Sequence, residues 1–382
     1  MLAVWAPLLL PFLAVPLARR LAETMPPRAA AWLLAGTAAV LAGGTLCSLG
    51  LLAAAGLLQL PPVAALGHLS LPWLTAAAPS APPAAALAGL ALAALTALAV
   101  RTARRRRLDL RAARAALPAL SVQPAASAAS THGPRAVGPA GPYAGDGPAD
   151  DQHSDTRPRS ASVRRARATR WLGTVAALRQ PAEHPLTVLD DERADAFALP
   201  GRLRRPGQAG EPGRIVVTSG MLRALSGPER SALLAHERAH LAGRHHLFLA
   251  LAEHAADLHP ALRLLRAPLG YHLERWADEV AAAQVGDRAV TARAVGRAAL
   301  AASRSPWPAR PRLVAAAHSG PVPRRVAALL QPRPSTTPAT RLRAVALALA
   351  ACLALTTGAT LEATADLHHT VEVAQHEPGA ER

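Results

Sequence analysis

Long apolar runs dominate the hydrophobic pattern of the chain. Four of them extend over residues 2–18, 29–58, 84–100 and 344–357, and each borders an arginine. About 20 apolar residues are enough for a helix to cross a bilayer. The pattern therefore predicts four membrane spans, the last of which must include flanking residues.

The first apolar run has a second interpretation, as a cleaved signal peptide. Pro7, Pro11 and Pro16 shorten any helix in this run, and a small-residue cleavage site can follow it. A signal peptide normally carries positive charge before its apolar region, whereas Arg19 and Arg20 come behind this one. The order of charge and apolar residues favours a first span whose N-terminus faces outward.

Arginines next to the apolar runs predict how the spans are oriented. Positive residues near the ends of spans stay in the cytoplasm. Three arginines lie between the first two runs, and seven lie within residues 101–114. Residues 59–83 carry no charge, and the charged residues after the fourth run are acidic except for the terminal Arg382. We therefore predict that both termini are external and that residues 101–343 are cytoplasmic.

The pattern changes between the third and fourth runs. Residues 118–170 are rich in Ala, Pro, Ser, Gly and Arg and contain almost no large apolar residue, which predicts a disordered tether. Short apolar runs bounded by Pro, Gly or charge then predict the strands of a small sheet, at residues 185–189, 195–199 and 214–218.

Helical periodicity follows the third predicted strand. We expect three helices, over about residues 226–243, 247–265 and 269–286. Ser226 and Glu229 have the spacing of a capping box at the start of the first helix. Pro260 is expected to break or kink the second helix.

Net charge and residue composition indicate which classes of partner the chain is expected to bind. The net charge of +17 favours contact with anionic lipid headgroups of the bilayer, where each nearby arginine contributes about 1 kcal/mol. Direct nucleic-acid binding is not expected, because the basic residues lack interleaved aromatic residues on which bases stack. Cys47 and Cys352 both fall in predicted spans, so neither a disulfide framework nor a cysteine metal site is expected.

The first predicted helix contains a candidate metal-binding motif. His236 and His240 are four residues apart, so they share one helical face on which two imidazoles can bind one Zn²⁺. Glu237 is rotated by about 100° from His236, where it can take a proton from a water beside the metal without binding the metal itself. The alternative is a pair of solvated histidines next to a glutamate that forms a salt bridge.

A catalytic zinc site needs a third protein ligand from another element. Glu274 is the best candidate, because it lies in a predicted helix 34 residues after His240. Asp278 is one turn further on the same face, where it can fix the tautomer of a histidine ligand. Glu253 and Glu279 are the rival third ligands, and an exposed charged turn is the alternative interpretation of this segment.

Two motifs resemble those of a known group of proteases. His236-Glu-Arg-Ala-His240 and Glu274-Arg-Trp-Ala-Asp278 are similar to the His-Glu-x-x-His and Glu-x-x-Ala-Asp motifs of the minimal glutamate-zincins, which include the Ste-type and HtpX-type membrane proteases. Three spans, a zinc domain and a fourth span resemble one branch closely, the BlaR/MecR-type peptidase M fifty-six family. The penicillin-binding sensor domain of that branch is not expected in this chain.

The resemblance also implies further site residues. The segment Asp195, Ala196, Phe197 and Ala198 is similar to a strand whose edge would hold an extended substrate. The related proteases carry a downstream His-Pro-Pro segment followed by an arginine. Here only His318 and then Arg325 stand in that region, and either is a candidate for polarising the substrate.

Together these inferences predict an α-helical integral membrane protein with four spans and a cytoplasmic α+β metallopeptidase domain of the zincin type. The expected division is three spans in residues 1–100, a basic, disordered tether in 101–170, the zinc domain in 171–340, a fourth span in 341–358 and a short external acidic tail in 359–382. One Zn²⁺ per chain is expected.

The predicted location is the cell membrane, and the predicted substrate is a protein or peptide. Regulatory proteolysis with a BlaI/MecI-type winged-helix repressor as partner is the function that the resemblance favours. A quality-control protease and a catalytically silent membrane signal transducer are the alternatives.

Overall fold

The computed structural model describes most of the chain. The described residues are 2–79, 81–115, 184–202, 210–304, 321–331 and 339–376. Residues 116–170, which make up most of the predicted tether, lie outside this set. The described residues are mostly helical.

Four helices are long and apolar enough to cross a membrane, by length and composition. They are α1 (Ala6–Ala22), α2 (Pro27–Leu57), α5 (Ala81–Ala115) and α12 (Ala339–His376). Two short helices, α3 (Pro61–Leu66) and α4 (Leu71–Ala77), lie between α2 and α5. The prediction of four spans from the apolar runs is therefore confirmed at the level of four candidate membrane helices.

The three predicted strands form one sheet. They are β1 (Leu186–Leu189), β2 (Ala196–Leu199) and β3 (Arg214–Thr218), in the order β1-β3-β2. β3 pairs in parallel with β1 and antiparallel with β2. Alternate residues of β3 are buried on opposite faces of the sheet. Val216 packs against Phe197 on one face, and Ile215 and Val217 pack against helices on the other face.

Among the described residues, six α-helices lie between the sheet and α12. They are α6 (Ser219–Ala224), α7 (Gly227–Ala242), α8 (His245–Leu258), α9 (Arg266–Val285), α10 (Arg288–Arg304) and α11 (Val322–Leu330). Of these, α7, α8 and α9 correspond to the three predicted helices. Pro260 separates α8 from a 3₁₀ turn, Pro260–Leu265, as expected for a residue that cannot continue the helix. α9 ends at Gly286, whose φ of 76° suits a residue without a side chain.

The start of α7 is defined by its capping residues. The backbone N–H of Ser226 donates to Glu229 Oε2 at 2.9 Å, which completes the predicted capping box. Glu229 also pairs with Arg297 of α10 at 2.9 Å. These contacts anchor the helix that carries both candidate histidine ligands.

Two membrane helices extend beyond the predicted boundaries. Residues 101–115, predicted as the start of the tether, continue α5, because Leu110 and Ala113 pack against Phe197 of the sheet. Residues 359–376, predicted as part of an external tail, continue α12, whose Ala374 carbonyl accepts from the N–H of Ser70 at 2.8 Å. Charge and local hydropathy cannot indicate these contacts, because the partners are distant in the sequence.

The apolar helices and the metal-site helices share one core. Residues of α1 and α2 pack with Phe248 of α8, Leu262 and Leu265 of the 3₁₀ turn, and Leu269 and Leu273 of α9. The helix that carries Glu274 is thus directly in contact with a candidate membrane helix. Side chains from both sides of the predicted boundary between the spans and the peptidase domain therefore pack in the same core.

Candidate metal centre

His236 and His240 lie on one face of α7, as their spacing predicts. Both side chains are buried, and their Nε2 atoms are 3.0 Å apart. The two rings meet edge to face, with 4.7 Å between centroids. Two imidazoles on consecutive turns of a helix therefore point their Nε2 atoms at the same place.

Glu274 of α9 brings a carboxylate to these two nitrogens. Its Oε1 lies 3.3 Å from His240 Nε2, and its Oε2 lies 3.5 Å from His236 Nε2. The side chain is fully buried. Ligand atoms of all three residues lie within 4.8 Å of one another, so the site that the spacing predicted is assembled by the packing of α7 on α9.

The donor set fits a metal ion. Glu274 Oε2 pairs with Arg325 Nη1 at 2.8 Å, and both oxygens of Glu274 also face the two imidazole rings. The two facing Nε2 atoms can share at most one proton, and a buried pair with this geometry is better explained by a cation bound by both. Two histidines and one glutamate are also a known ligand set of catalytic zinc, with a fourth position left open.

Asp278 and Arg325 contact two of the three candidate ligand residues, His236 and Glu274 respectively. Asp278 Oδ1 lies 3.0 Å from His236 Nδ1, the ring nitrogen opposite the metal-facing one. Arg325 of α11 donates through Nε and Nη2 to Asp278 at 2.8 and 2.6 Å, and its Nη1 lies 2.8 Å from Glu274 Oε2. One guanidinium therefore holds both carboxylates of α9 in position.

Charge around the site favours a cation. Burial alone would raise the pKa of Glu274, but Arg325 and the two histidines hold it well below its usual range. Burial likewise opposes charging of His236, yet hydrogen bonds to Asp278 and Glu274 raise its pKa to about 10. The two carboxylates, Glu274 and Asp278, thus place negative charge beside the histidine rings.

Glu237 lies beside the ligands and faces a cavity. Its side chain is almost fully buried, and its Oε1 has no hydrogen-bond partner among the described residues. The cavity has a volume of about 340 Å³. Its walls include His236, Glu237 and Arg325, residues 195 and 196 at the start of β2, and several small residues of α10. A substrate in this cavity would be in reach of Glu237.

The rival glutamates have other partners. Glu253 accepts from Arg106 Nε at 2.6 Å and therefore joins α8 to α5. Glu279 pairs with Arg275 at 2.7 Å and with Arg288 at 2.5 Å. Neither residue belongs to the cluster of ligand atoms formed by the described residues. Glu274 is accordingly the third ligand that the geometry favours.

The residues predicted to hold substrate are divided between two environments. Asp195 and Ala196 line the cavity. Phe197 instead packs on the far face of the sheet with Leu189, and Ala198 packs against the cluster that includes Ile215. Of the two candidates for polarising substrate, Arg325 lines the cavity, and His318 lies outside the described residues.

His245 is the site residue that the sequence analysis missed. A histidine at the start of a helix is expected to be solvated, but its side chain is 1% exposed. Its Nδ1 lies 2.8 Å from Nδ1 of His240. Burial lowers the pKa of His245 to about 2, and the neighbouring His240 adds to the effect. Only its position five residues after His240 hints at this contact.

Together, the fold and the site show a mostly helical protein with four candidate membrane helices and a candidate metal centre of two histidines and one glutamate. The sequence model of Peptidase family M48 matches residues 164–265. The matched segment includes the sheet, α7 and α8, and it ends before Glu274. This similarity indicates a metal-dependent protease. Neither curated proteins nor solved structures gave a match.

Proposed function

We propose that this protein is a membrane-embedded zinc endopeptidase with an α+β catalytic domain, which hydrolyses peptide bonds of a cytoplasmic or membrane protein. The observation that carries the proposal is the convergence of His236, His240 and Glu274 beside Glu237 at the wall of a cavity. The similarity to Peptidase family M48 supports the same reaction class.

Glu237 is the general base and general acid of the proposed reaction. A bound zinc ion would polarise the peptide carbonyl and lower the pKa of a water molecule. Glu237 takes a proton from the attacking water as its oxygen bonds to the carbonyl carbon. The carbon–nitrogen bond then breaks, and Glu237 returns the proton to the leaving amine. One water and one peptide bond thus yield a carboxylic acid and an amine.

The long C-terminal part of α5 supports a cytoplasmic catalytic domain. Thr102 donates to Asp257 of α8 at 2.9 Å, and Arg114 donates to the carbonyl of Pro200 beside the sheet at 2.9 Å. The arginine-rich part of α5 is therefore on the same side as the sheet and α8. Because arginines next to spans stay in the cytoplasm, we propose that the metal centre is cytoplasmic.

Regulatory proteolysis of the BlaR/MecR type is the narrower proposal, with a BlaI/MecI-type repressor as candidate target. Its support is the order of elements, three membrane helices before the metal-site helices and one after them. A quality-control protease would have the same site and a wider range of substrates. A silent signal transducer would keep the fold without turnover.

A Glu237→Gln variant tests the proposal. The variant should retain stoichiometric zinc, because Glu237 is not a ligand, and it should lose proteolysis by a factor of at least about 100. Comparison of membrane and cytoplasmic proteomes of cells that express wild type or variant would identify uncleaved substrates. One accumulating repressor would favour the regulatory version, and many membrane proteins would favour quality control.

Glu279→Gln is the matched control. It alters a glutamate of α9 that pairs with arginines and lies outside the ligand cluster. This variant should retain both zinc and activity. Full activity in Glu237→Gln, or a wild-type protein that binds no zinc, would refute the proposed function.

A further inference from the structure

We propose that His245 is a positioning residue of the metal centre, which accepts a hydrogen bond from Nδ1 of His240 and so holds Nε2 of that ring toward the metal. The inference rests on the proposed metal site. It assigns to the first residue of α8 a role that the two motifs do not include.

The contact between the two rings is short and enclosed. Their Nδ1 atoms are 2.8 Å apart, and the ring planes meet at 88°. Trp276 of α9 covers the other side of His245, with 4.6 Å between ring centroids. His245 is therefore held between the helix that carries the histidine ligands and the helix that carries Glu274.

The direction of the hydrogen bond follows from the chemistry of imidazole. His240 turns its Nε2 toward His236 and Glu274, at 3.0 and 3.3 Å. A nitrogen that binds a metal carries no proton, so the proton of a neutral His240 is on Nδ1. Nδ1 of His245 must then be the acceptor, and the proton of His245 must be on its own Nε2.

The backbone before α8 is built to bring this ring inward. Arg244 has a φ of 50°, in the left-handed region, and it turns the chain sharply between α7 and α8. A Cβ on Gly243 would lie only 2.4 Å from Nε2 of His245. Glycine is therefore needed at position 243 for the ring to lie where it does.

Packing alone does not explain a histidine at this position. His245 Nε2 is buried and has no hydrogen-bond partner among the described residues. An apolar ring would fill the space beside Trp276 and Phe248 without burying an unsatisfied donor. The unsatisfied donor is explained if Nδ1 of the same ring performs a necessary task.

Different groups would thus orient the imidazole rings of the two histidine ligands. His236 is oriented by the carboxylate of Asp278, and His240 by a neutral imidazole. A carboxylate in place of His245 would add a further buried negative charge next to Glu274. A neutral acceptor fixes the tautomer of His240 without that charge.

Three variants test the inference by zinc affinity, which is measured without any peptidase assay. His245→Phe keeps an aromatic ring but removes the acceptor, and it should weaken zinc binding by about 10–100-fold in competition with a chelator. His245→Asn can present an amide oxygen near the position of Nδ1, and it should recover most of the affinity. The visible spectrum of the Co²⁺-substituted protein should change in His245→Phe and resemble wild type in His245→Asn.

His246→Phe is the matched control, since it alters the neighbouring, partly buried histidine. It should bind zinc as wild type does. If His245→Phe binds zinc as tightly as wild type, or if His245→Asn is as weak as His245→Phe, the positioning role is refuted and the proposed peptidase is not. If His245→Phe does not fold, Gly243→Ala, which displaces the ring, should give the same loss of affinity, and unchanged affinity in it would refute the role.

Discussion

Glu274 is one of three glutamates that follow the histidine motif closely, and its neighbours explain why it is the candidate ligand. Glu253 and Glu279 pair with arginines away from the two histidines, whereas Glu274 contacts Arg325 and also directs its carboxylate at two imidazole nitrogens. On a helix, Glu279 is about 140° from Glu274, so the two cannot face the same metal. Proximity to His236 and His240 thus distinguishes Glu274 from two glutamates of identical chemistry.

Zinc analysis of purified variants tests this assignment. Glu274→Ala should lose bound zinc, because only two protein ligands remain. Glu253→Ala and Glu279→Ala should keep one zinc per chain, since each loses only ion pairs away from the site. Zinc retained in Glu274→Ala and lost in either of the others would contradict the assignment.

At the scale of elements, α11 is joined to α9 by Arg325. This side chain is 5% exposed and contacts both Glu274 and Asp278. Removing one partner of a buried ion pair leaves uncompensated charge, which typically costs about 3–5 kcal/mol of unfolding free energy. Arg325 therefore stabilises the helix pair in addition to any contact with substrate.

Arg325→Met should lower the unfolding free energy of the metal-free protein by about 3–5 kcal/mol. Zinc should restore part of this loss, because the ion then compensates the two carboxylates. Denaturant unfolding with and without zinc measures both effects. Arg324→Met on the same helix, where the guanidinium lies over Tyr271, should change stability by less than about 1 kcal/mol. Unchanged stability of Arg325→Met with reduced turnover would instead favour substrate polarisation.

At the scale of the whole molecule, the candidate membrane helices and the helices of the candidate metal site pack together in the described part of the chain. Arg28, next to the start of α2, lies over Trp276 of α9, with 5.4 Å from its guanidinium carbon to the ring centroid. Trp32 of α2 meets Phe248 of α8 edge to face. The candidate metal centre is therefore close to the start of a candidate membrane helix.

Reporter fusions test the orientation. A reporter fused after Arg107 or Arg170 should be cytoplasmic, and one fused after Arg382 should be external, because of the arginines that follow the third span. Protease protection in sealed vesicles is an independent measurement of the same topology. An external reporter at Arg170 would exclude the proposed arrangement.

Local sequence patterns predict much of the candidate metal site but few of the residues that surround it. The His236–His240 pair and the capping box at Ser226 depend on helical spacing within one or two turns, so the sequence predicts them directly. Glu274 required the additional assumption that its helix packs against the first one. Sequence patterns do not indicate the contact of His245 with His240, because helical periodicity does not include the left-handed turn at Arg244.

The sequence by itself determined the four apolar helices, the order of strands and helices, and the candidate ligands, because each depends on residues close together in the chain. Only the tertiary structure decided that α5 and α12 continue past their apolar segments, that Arg325 contacts both Glu274 and Asp278, and that His245 contacts His240. These features depend on contacts between distant segments. Composition and periodicity do not encode such contacts. The residues that form them are solvated until the helices pack together.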